Sequence, residues 1–527
     1  MYIYLKFLPL ICLLLVTCQP SKQAALAAVP NILIILADDL GYSDIGCYGG
    51  EISTPNLDRL AENGLQFRNF YNAARCCPTR AALLTGLYPH EAGMGGMVSS
   101  VENPIPPPST YQGFLNDSSA TLAEVLRPAG YKNYMSGKWH VGERPEHWPR
   151  KRGFDRYFGL ISGASSYYEV IKDQPRVRRM ALDDDVWEPA KEGFYMTDAI
   201  TDYAVDFLQG HFTNQKEQPF FTYLAYTAPH WPLHAPAEDI ARYQGKYDHG
   251  WVAIRKERFQ KMIDLGLIDS SYQLSAVPKS IPDWDTLTNQ EEWSRRMEVH
   301  AAMVDRMDQG IGKVMALLEQ NGALDNTLIM FLSDNGASSE NITGRKLHDP
   351  TIPIGARGSY AAFREPWANA SNTPYRKYKR WTHEGGIKTP FIVHWPKGIE
   401  KPGAKVDHYA HIIDIMTTAL QLSGANYPEG MRLLRGQSLD WAWSDEDSKS
   451  PDEDRVLYWE HFNHRAVRKG PWKLVSALPD NEWELYNLEE DPVELEDLSA
   501  DFPDKVQEMV ALHQGWSEEV GVHKHGE

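Results

Sequence analysis

The sequence predicts an α/β fold in which helices flank a large, mainly parallel mixed sheet, followed by a small C-terminal antiparallel sheet. Short apolar, β-branched runs that end at polar residues are typical of buried parallel strands. Segments with helical periodicity lie between these runs, and such alternation is typical of a parallel sheet. After about residue 450 the pattern changes to short strands separated by turns. Together these observations predict one large unit with a small appendage.

The first predicted strand is Asn31–Ala37, an apolar run that ends at two aspartates. Similar runs predict further strands at Tyr131–Met135, Pro219–Tyr226, Thr327–Leu332 and Pro390–His394. Helical patterns lie at Thr121–Arg127, Asp198–Leu208 and Glu291–Glu319. In the last of these, apolar residues recur every three or four positions, which predicts one buried helix face. Residues 236–290 carry few strand signals, so we expect a helical or loop insertion near the rim of the site.

The C-terminal segment predicts a separate small sheet. Its strand candidates are Val456–Trp459, Arg465–Arg468, Trp472–Val475 and Trp483–Tyr486, followed by an amphipathic stretch at Val506–Trp516. We therefore expect a catalytic domain over residues 29–450 and a subdomain of antiparallel sheet plus helix over residues 451–527.

Composition excludes several classes of protein. The chain of 527 residues is 42% hydrophobic and 24% charged, which excludes disorder as its main state. Its 53 basic and 71 acidic residues give a net charge of −18. We expect no nucleic-acid partner, because binding to phosphates requires a positive surface. An anionic substrate would need a locally basic pocket.

The first 28 residues are predicted to be a targeting leader. Lys6 precedes an apolar run over residues 7–16 that is too short to span a bilayer. Two kinds of processing fit the leader: Leu15–Cys18 resembles a lipoprotein box that would leave a lipid anchor on Cys18, and Ala25–Ala27 resembles a signal-peptidase site. In both cases we expect export, to a bacterial periplasm, to the medium or to a lipid-anchored position, without a transmembrane span.

Polar clusters follow four of the predicted strands. Asp38 and Asp39 follow the first, Lys138 and His140 the second, His230 the third, and Asp334 with Asn335 the fourth. Ligands of open α/β sheets bind beyond the carboxyl ends of the strands, so these clusters can converge. The oxygen-only set of Asp38, Asp39, Asp334 and Asn335 favours Ca²⁺ or Mg²⁺ over zinc. The alternative is that these residues are helix caps and turns.

The segment Cys76-Cys77-Pro78-Thr79-Arg80 carries the most specific signal. Pro78 favours a helix start, which places Cys76 at a positive helix N-terminus that stabilises anions and thiolates. The alternative is a pair of buried cysteines beside a helix start. With Cys47 these are the cysteines expected outside the leader, and they form no disulfide framework.

This segment, with the downstream Leu84-Thr85-Gly86, resembles the Cys-x-Pro-x-Arg signature of the formylglycine-dependent sulfatases, a family of the alkaline phosphatase superfamily. The resemblance extends from Asn31 to Pro492. It is closest to the bacterial arylsulfatases, through the segments Gly41–Gly46, Ala228–Pro232 and His383–Ile387.

The register of the signature selects one of the two cysteines. Cys76 has Pro78 two residues later and Arg80 four residues later, whereas Cys77 has Thr79 and Ala81 at these places. The resemblance implies that a formylglycine-generating enzyme oxidises Cys76 to an aldehyde, formylglycine, which is hydrated in the resting enzyme.

The resemblance also implies a role for each motif residue. The hydrated aldehyde at position 76 would be the nucleophile, in contact with one divalent cation, Ca²⁺ in the first place and Mg²⁺ as the alternative. The other implied cation ligands are Asp38, Asp39, Asp334 and Asn335. Arg80 and Lys138 would hold the sulfate. His230 and Lys379 would protonate the leaving group, and Lys377 is the alternative to Lys379. His140 would be the base that expels sulfate.

The implied activity is hydrolysis of aryl or carbohydrate sulfate monoesters. Two alternatives remain at this level: a formylglycine-dependent phosphodiesterase or phosphonate monoester hydrolase, and an inactive homologue that binds sulfated glycans. The intact set of motif residues favours an enzyme over the inactive homologue.

Overall fold

The structure is a computed structural model that describes residues 29–98, 109–172, 177–342, 347–443 and 455–523. The predicted leader with Cys18 lies outside the described residues, and so does the predicted domain boundary between residues 450 and 451. The described part of the chain contains a large sheet, a two-stranded ladder, a small C-terminal sheet and the helices around them.

The strands are β1 Asn31–Ala37, β2 Leu65–Phe67, β3 Phe70–Tyr71, β4 Lys132–Gly137, β5 Arg156–Leu160, β6 Met180–Leu182, β7 Asp185–Trp187, β8 Phe220–Ala225, β9 Thr327–Ser333, β10 Phe391–His394, β11 Ala404–Val406, β12 Ala410–His411, β13 Val456–His461, β14 His464–Lys469, β15 Trp472–Ser476 and β16 Trp483–Asn487. The α-helices are α1 Pro55–Glu62, α2 Cys76–Thr85, α3 Leu122–Leu126, α4 Met196–Asn214, α5 Ala237–Ala241, α6 Gly250–Asp264, α7 Gln290–Gln320, α8 Arg364–Ser371, α9 Glu384–Ile387, α10 Asp414–Ser423 and α11 Pro503–Val520.

The large sheet has the strand order β11-β2-β10-β9-β1-β8-β4-β5-β6-β7. Its centre, β9-β1-β8-β4-β5, is parallel throughout, which confirms the prediction of a mainly parallel mixed sheet. The predicted strand at Pro390–His394 forms as β10 but runs antiparallel to β9. An apolar run shows that a strand is buried and does not show its direction.

Both faces of the large sheet are buried, as the apolar sequence of β1 requires. Leu33 and Ile35 pack into a core that includes residues of α4 and α7, whereas Ile32 and Ile34 pack with α2, α3 and α10. The predicted apolar face of the long helix, now α7, is buried in the first of these cores. Helices therefore cover both faces of the large sheet.

The C-terminal sheet β13-β14-β15-β16 is antiparallel, as predicted. On one face Val467 and Leu474 pack against Met509 of α11. On the other face Trp459 packs with Tyr71 and donates from Nε1 to the carbonyl oxygen of Asn72, at 2.7 Å. The small sheet is therefore attached directly to the segment that leads from β3 into α2.

The segment predicted as an insertion contains α5 and α6. Arg258 of α6 binds Asp44 and Glu51, at 2.7 Å each, in the loop that follows β1. No helix among the described residues is long and apolar enough to cross a bilayer. Cys47, Cys76 and Cys77 are unpaired thiols.

Candidate active site

Four adjacent parallel strands bring the polar clusters to one edge of the large sheet. The four strands lie side by side in the order β9, β1, β8 and β4. Asp334 and Asn335 follow β9, Asp38 and Asp39 follow β1, His230 follows β8, and Lys138 and His140 follow β4. Since parallel neighbours end at the same edge, the clusters converge there. His230 lies five residues beyond β8, in a loop, and the other clusters follow their strands directly or nearly so.

Helix α2 supplies the fifth part of the site. It begins at Cys76, and Pro78 lies in its first turn, so the predicted placement of Cys76 at a helix N-terminus is confirmed. Cys76 is buried. A hydrogen bond from the Cys77 thiol, the Lys138 ammonium and His140 together hold the pKa of the Cys76 thiol well below its usual range, although burial opposes them.

Two basic side chains neutralise two of the carboxylates at the base of the site. Arg80 donates from Nη2 and Nε to Oδ2 of Asp334, at 2.8 and 3.1 Å. Lys138 donates from Nζ to Oδ2 of Asp38, at 2.5 Å, and its carbonyl oxygen accepts from Arg80 Nη1 at 2.9 Å. All four side chains are fully buried, so these interactions are weakly screened by solvent.

Asp39 is the centre of the opposite half of the site. It adopts a left-handed backbone conformation, with φ at 67°, directly after β1. Its Oδ1 accepts from Asn335 Nδ2 at 2.7 Å, and Lys379 Nζ lies 2.7 Å from the same oxygen. His230 Nε2 lies 3.6 Å from Asp39 Oδ2.

The donor set fits a hard divalent cation. Asp38 Oδ1 and Asn335 Oδ1 are buried, and neither has a hydrogen-bond donor among the described residues. Burial, followed by the neighbouring charge of Asp38, raises the pKa of Asp334 to about 8. Unsatisfied oxygens and crowded carboxylates are costly in a protein interior unless a cation compensates them. Carboxylate and amide oxygens are the ligands that Ca²⁺ and Mg²⁺ prefer.

His140 lies on the α2 side of the cluster. Its Nε2 and Nδ1 are 3.3 and 3.5 Å from the Sγ atom of Cys77, and the ligating atoms of Cys76, Cys77 and His140 all lie within 4.8 Å of one another. Met97 Sδ is 3.8 Å from Cys77 Sγ. Cys77 therefore contacts the histidine that the resemblance assigns as base, a contact that the sequence does not reveal.

His230 is buried beside Asp39. Burial lowers its pKa to about 4, although the Asp39 carboxylate acts in the opposite direction. Nδ1 donates to the carbonyl oxygen of Trp231 at 2.5 Å, which orients the ring. Cis peptide bonds precede Pro229 and Pro232 on either side of this loop segment.

The two lysines that compete for one role occupy different places. Lys379 is buried against Asp39, whereas Lys377 lies with its ammonium 4.2 Å from the centre of the Trp381 ring. The structure thus brings Lys379 into the cluster and leaves Lys377 outside it.

Glu340 is a residue of this site that the sequence did not predict. Its Oε1 accepts from Arg75 Nη2 at 3.1 Å, its Oε2 accepts from Trp231 Nε1 at 2.7 Å, and Lys379 Nζ is 3.8 Å away. The Glu340 carboxylate thereby connects Arg75, which precedes Cys76, with Trp231, which follows His230, and with Lys379. Its only sequence signal is its position six residues after Asp334 in the loop that follows β9.

Comparisons with known proteins agree with this architecture. A sulfatase family profile matches residues 30–425, and a profile described as N-sulphoglucosamine sulphohydrolase, C-terminal, matches residues 375–516. An uncharacterized sulfatase of Schizosaccharomyces pombe is 36% identical, over 95% of this chain and 96% of its own. The arylsulfatase of Klebsiella aerogenes is 35% identical, over 77% of this chain and 89% of its own. The crystal structure of Ps i-CgsB superposes with a TM-score of 0.70 at 28% identity, covering 93% of each chain.

Fold and relatives define a hydrolase of the alkaline phosphatase-like superfamily. Within that superfamily the chain belongs to the sulfatase family, and it is a sulfatase. The resemblance stated from the Cys76 segment is therefore confirmed at the level of the family.

Proposed function

We propose that this sulfatase hydrolyses aryl or carbohydrate sulfate monoesters through a formylglycine formed from Cys76, beside one divalent cation, with Ca²⁺ preferred to Mg²⁺. One observation carries the proposal: Cys76 begins α2 within the cluster of carboxylates that leaves buried oxygens of Asp38 and Asn335 without donors. When bound, the cation would be held by Asp38, Asp39, Asp334, Asn335 and the modified residue 76, and it would supply Lewis-acid stabilisation of negative charge.

The basic residues of the chain complete the binding site for the sulfate group. Arg80, Lys138 and Lys379 are buried around the carboxylates and supply positive charge on an otherwise acidic protein. We assign Arg80 and Lys138 to the oxygens of the hydrated residue 76 and of the sulfate. A preorganised set of charges in a site that excludes water stabilises the transition state more strongly than mobile solvent does.

The proposed reaction has two steps. In the first, one hydroxyl of hydrated residue 76 gives its proton to a neighbouring carboxylate and its oxygen bonds to sulfur, while the bond from sulfur to the ester oxygen breaks. The departing alcohol or phenol takes its proton from Lys379, which Asp39 holds near His230. In the second, His140 removes the proton of the remaining hydroxyl, the carbonyl re-forms, and sulfate leaves with the bridging oxygen. Water then hydrates the aldehyde again. Each proton transfer of this kind contributes about 10²–10⁴-fold to the rate.

Sugar sulfates and aryl sulfates are both candidates for the substrate. The structural relative Ps i-CgsB has also been solved in complex with k-i-k-neocarrahexaose, and the Klebsiella aerogenes relative is an arylsulfatase. We further propose export of the protein through its leader, with Cys18 as an optional lipid anchor, and maturation by a formylglycine-generating enzyme. The hydrophobic run in residues 7–16 supports export.

Mass spectrometry of the peptide that carries Cys76 tests the proposal most directly. We expect the thiol to be replaced by a carbonyl oxygen at position 76, and we expect turnover of p-nitrophenyl sulfate in the presence of Ca²⁺. Faster turnover of bis(p-nitrophenyl) phosphate than of the sulfate would instead identify a phosphodiesterase. An unmodified thiol in fully active protein would overturn the formylglycine assignment.

A further inference from the structure

A second cleft, lined by none of the candidate active-site residues, lies beside the C-terminal sheet. It has a volume of about 760 Å³ and includes among its lining residues Tyr71, Tyr272, Tyr409, Trp472, Lys388 and Arg468. Neither the motifs nor the proposed reaction uses these residues. The cleft therefore needs an explanation of its own.

A buried charge network forms the back of this cleft. Lys473 Nζ donates to Glu384 Oε1 at 2.8 Å and to Glu494 Oε1 at 2.7 Å, and all three side chains are fully buried. Glu384 Oε2 accepts from the Tyr71 hydroxyl at 2.8 Å. Both carboxylate oxygens of Glu384 therefore already accept hydrogen bonds, one from Lys473 and the other from Tyr71.

Lys388 is the surplus cation of this network. Only 2% of its side chain is exposed, yet its Nζ atom comes no closer than 3.6 Å to a carboxylate oxygen among the described residues, that of Glu384. The centre of the Tyr375 ring lies 4.5 Å from the same Nζ atom. Burial lowers the pKa of the Lys388 ammonium to about 8, with Glu384 opposing and Arg468 and Lys473 adding to the fall.

Arg468 adds a second cation at the same wall. It donates from Nε to the carbonyl oxygen of Gly470 at 3.1 Å and from Nη1 to Tyr71, and it stacks 4.1 Å from the centre of the Tyr409 ring. Among the buried groups of the described chain at this wall, Lys388, Arg468 and Lys473 face two carboxylates, Glu384 and Glu494. The rim of the cleft also carries Asp407, which pairs with Arg68, and Glu489. The buried wall therefore has one more positive than negative charge, which is costly unless an anion can bind.

We propose that this cleft is a second binding site, which takes an anionic group, sulfate or carboxylate, of an acidic sugar chain. Lys388 and Arg468 bind the anion, and the partly exposed rings of Tyr272, Tyr409 and Trp472 form the walls against which the sugar packs. Aromatic rings that are half buried are typical of surfaces that hold an amphipathic ligand.

The inference deepens the proposed function and rests on it for the identity of the ligand as a substrate chain. A chain with several anionic groups has further groups for the cleft in addition to the ester that reacts at residue 76. A small aryl sulfate, by contrast, would occupy the active site alone. This difference allows the two proposals to be tested separately.

Binding to an inactive variant tests the cleft. In a Cys76→Ala background, a chondroitin sulfate tetrasaccharide is titrated by calorimetry with saturating p-nitrophenyl sulfate present to block the active site. Adding Lys388→Met should weaken binding by about tenfold, the usual effect of losing one charge-assisted hydrogen bond, and Lys388→Arg should retain it. The matched control is Lys505→Met, since Lys505 lines the same cleft but pairs with Glu508 at 2.6 Å.

A second measurement avoids the risk that Lys388→Met misfolds. In the protein that keeps Lys388, the backbone amides of α9 and β14 should exchange hydrogen more slowly when the tetrasaccharide is added in the presence of saturating p-nitrophenyl sulfate. Unchanged exchange there, or equal affinity of the Lys388→Met and Lys505→Met proteins, overturns the cleft as a binding site. The Lys388→Met variant that keeps Cys76 tests the proposed function independently. Its turnover of p-nitrophenyl sulfate should differ less than twofold from that of the native protein.

Discussion

The ammonium of Lys379, in the loop before α9, donates to Oδ2 of Asp39 at 2.9 Å and lies 2.7 Å from Oδ1 of the same carboxylate. Burial lowers the pKa of Lys379, but Asp39 and then Glu340 outweigh this effect and raise it above its usual range. Lys379 is therefore a protonated side chain held at the cluster by Asp39. Lys377, only two residues earlier, lies on Trp381 instead.

The contrast between these lysines leads to the first prediction. Lys379→Met should reduce kcat by at least about 10²-fold, because a proton donor for the leaving group is lost. The loss should be larger for an alkyl sulfate than for p-nitrophenyl sulfate, whose leaving group needs less protonation. Lys377→Met is the matched control and should change kcat less than twofold. Equal losses in the two variants would remove Lys379 from the proposed role.

The strand ends show how much of the site the sequence predicts. The apolar sequences of β1 and β9 predict that both strands are buried. Once a parallel sheet is inferred, the residues that follow these strands are expected to converge, namely Asp38, Asp39, Asp334 and Asn335. Glu340 was not predictable, because its partner Arg75 lies 265 residues away and loop packing alone brings them together.

The C-terminal part of the chain shows the same division. The four short strands and the following helix were predicted from their patterns, and the structure confirms them. The contact of this sheet with Tyr71 and the charge surplus at Lys388 depend on how two separate sheets pack. Periodicity describes one element at a time and carries no information on such packing. For the same reason it did not reveal that β10 runs antiparallel.

The metal assignment leads to a second prediction. Asp334→Asn keeps the size of the side chain but removes the charge that balances a cation. Added Ca²⁺ should raise the melting temperature of the chelator-treated native protein and should leave that of Asp334→Asn unchanged. Turnover should fall by at least about 100-fold. The control is Asp202→Asn, whose side chain is 65% exposed. Normal metal content in Asp334→Asn would contradict the assignment.

A third prediction separates the two cysteines. Cys77→Ala should still carry the carbonyl at position 76, because the signature residues Pro78 and Arg80 keep their spacing from Cys76. It should lose about 1 kcal/mol of stability, since Cys77 is buried against His140 and Met97. Mass spectrometry and urea unfolding measure the two effects. A carbonyl at position 77 in the native protein would show that the register is wrong.

A fourth prediction concerns acid stability and a buried histidine. Nε2 of His234 donates to the carbonyl oxygen of Ser359 at 2.7 Å, and burial lowers the pKa of His234 from 6.5 to about 4. The unfolded chain therefore binds the proton first as the pH falls. This contribution to stability is fully present above pH 6.5 and is lost towards pH 4, with about 2 kcal/mol lost by pH 5.

His234→Gln tests this linkage. The amide keeps a donor for Ser359 but does not titrate, so the free energy of unfolding should depend less on pH between 7 and 5 than in the native protein. Urea unfolding at several pH values provides the measurement. His249→Gln is the control, because that histidine is 45% exposed and pairs only at the surface with Glu257. Identical pH slopes for native protein and His234→Gln would exclude His234 as a source of acid sensitivity.

The last prediction tests why the proposed mechanism needs two hydroxyl groups at position 76. Cys76→Ser provides one oxygen nucleophile at the start of α2 but no second hydroxyl on the same carbon. Attack on sulfur remains feasible, because Lys138 and Arg80 still supply positive charge around that oxygen. The resulting sulfate ester has no neighbouring hydroxyl that His140 could deprotonate, so elimination of sulfate is blocked.

We therefore expect Cys76→Ser to release at most about one leaving group per protein molecule and then to stop, as happens when formation of a covalent adduct outruns its breakdown. A rapid assay with p-nitrophenyl sulfate measures the burst, and mass spectrometry should find sulfate on Ser at position 76. Cys76→Ala, which lacks any nucleophile, is the matched control and should show no burst. Continued turnover by Cys76→Ser in calcium-containing buffer, with contamination by native enzyme excluded, would rule out release by elimination, because a single hydroxyl would then be sufficient for both steps.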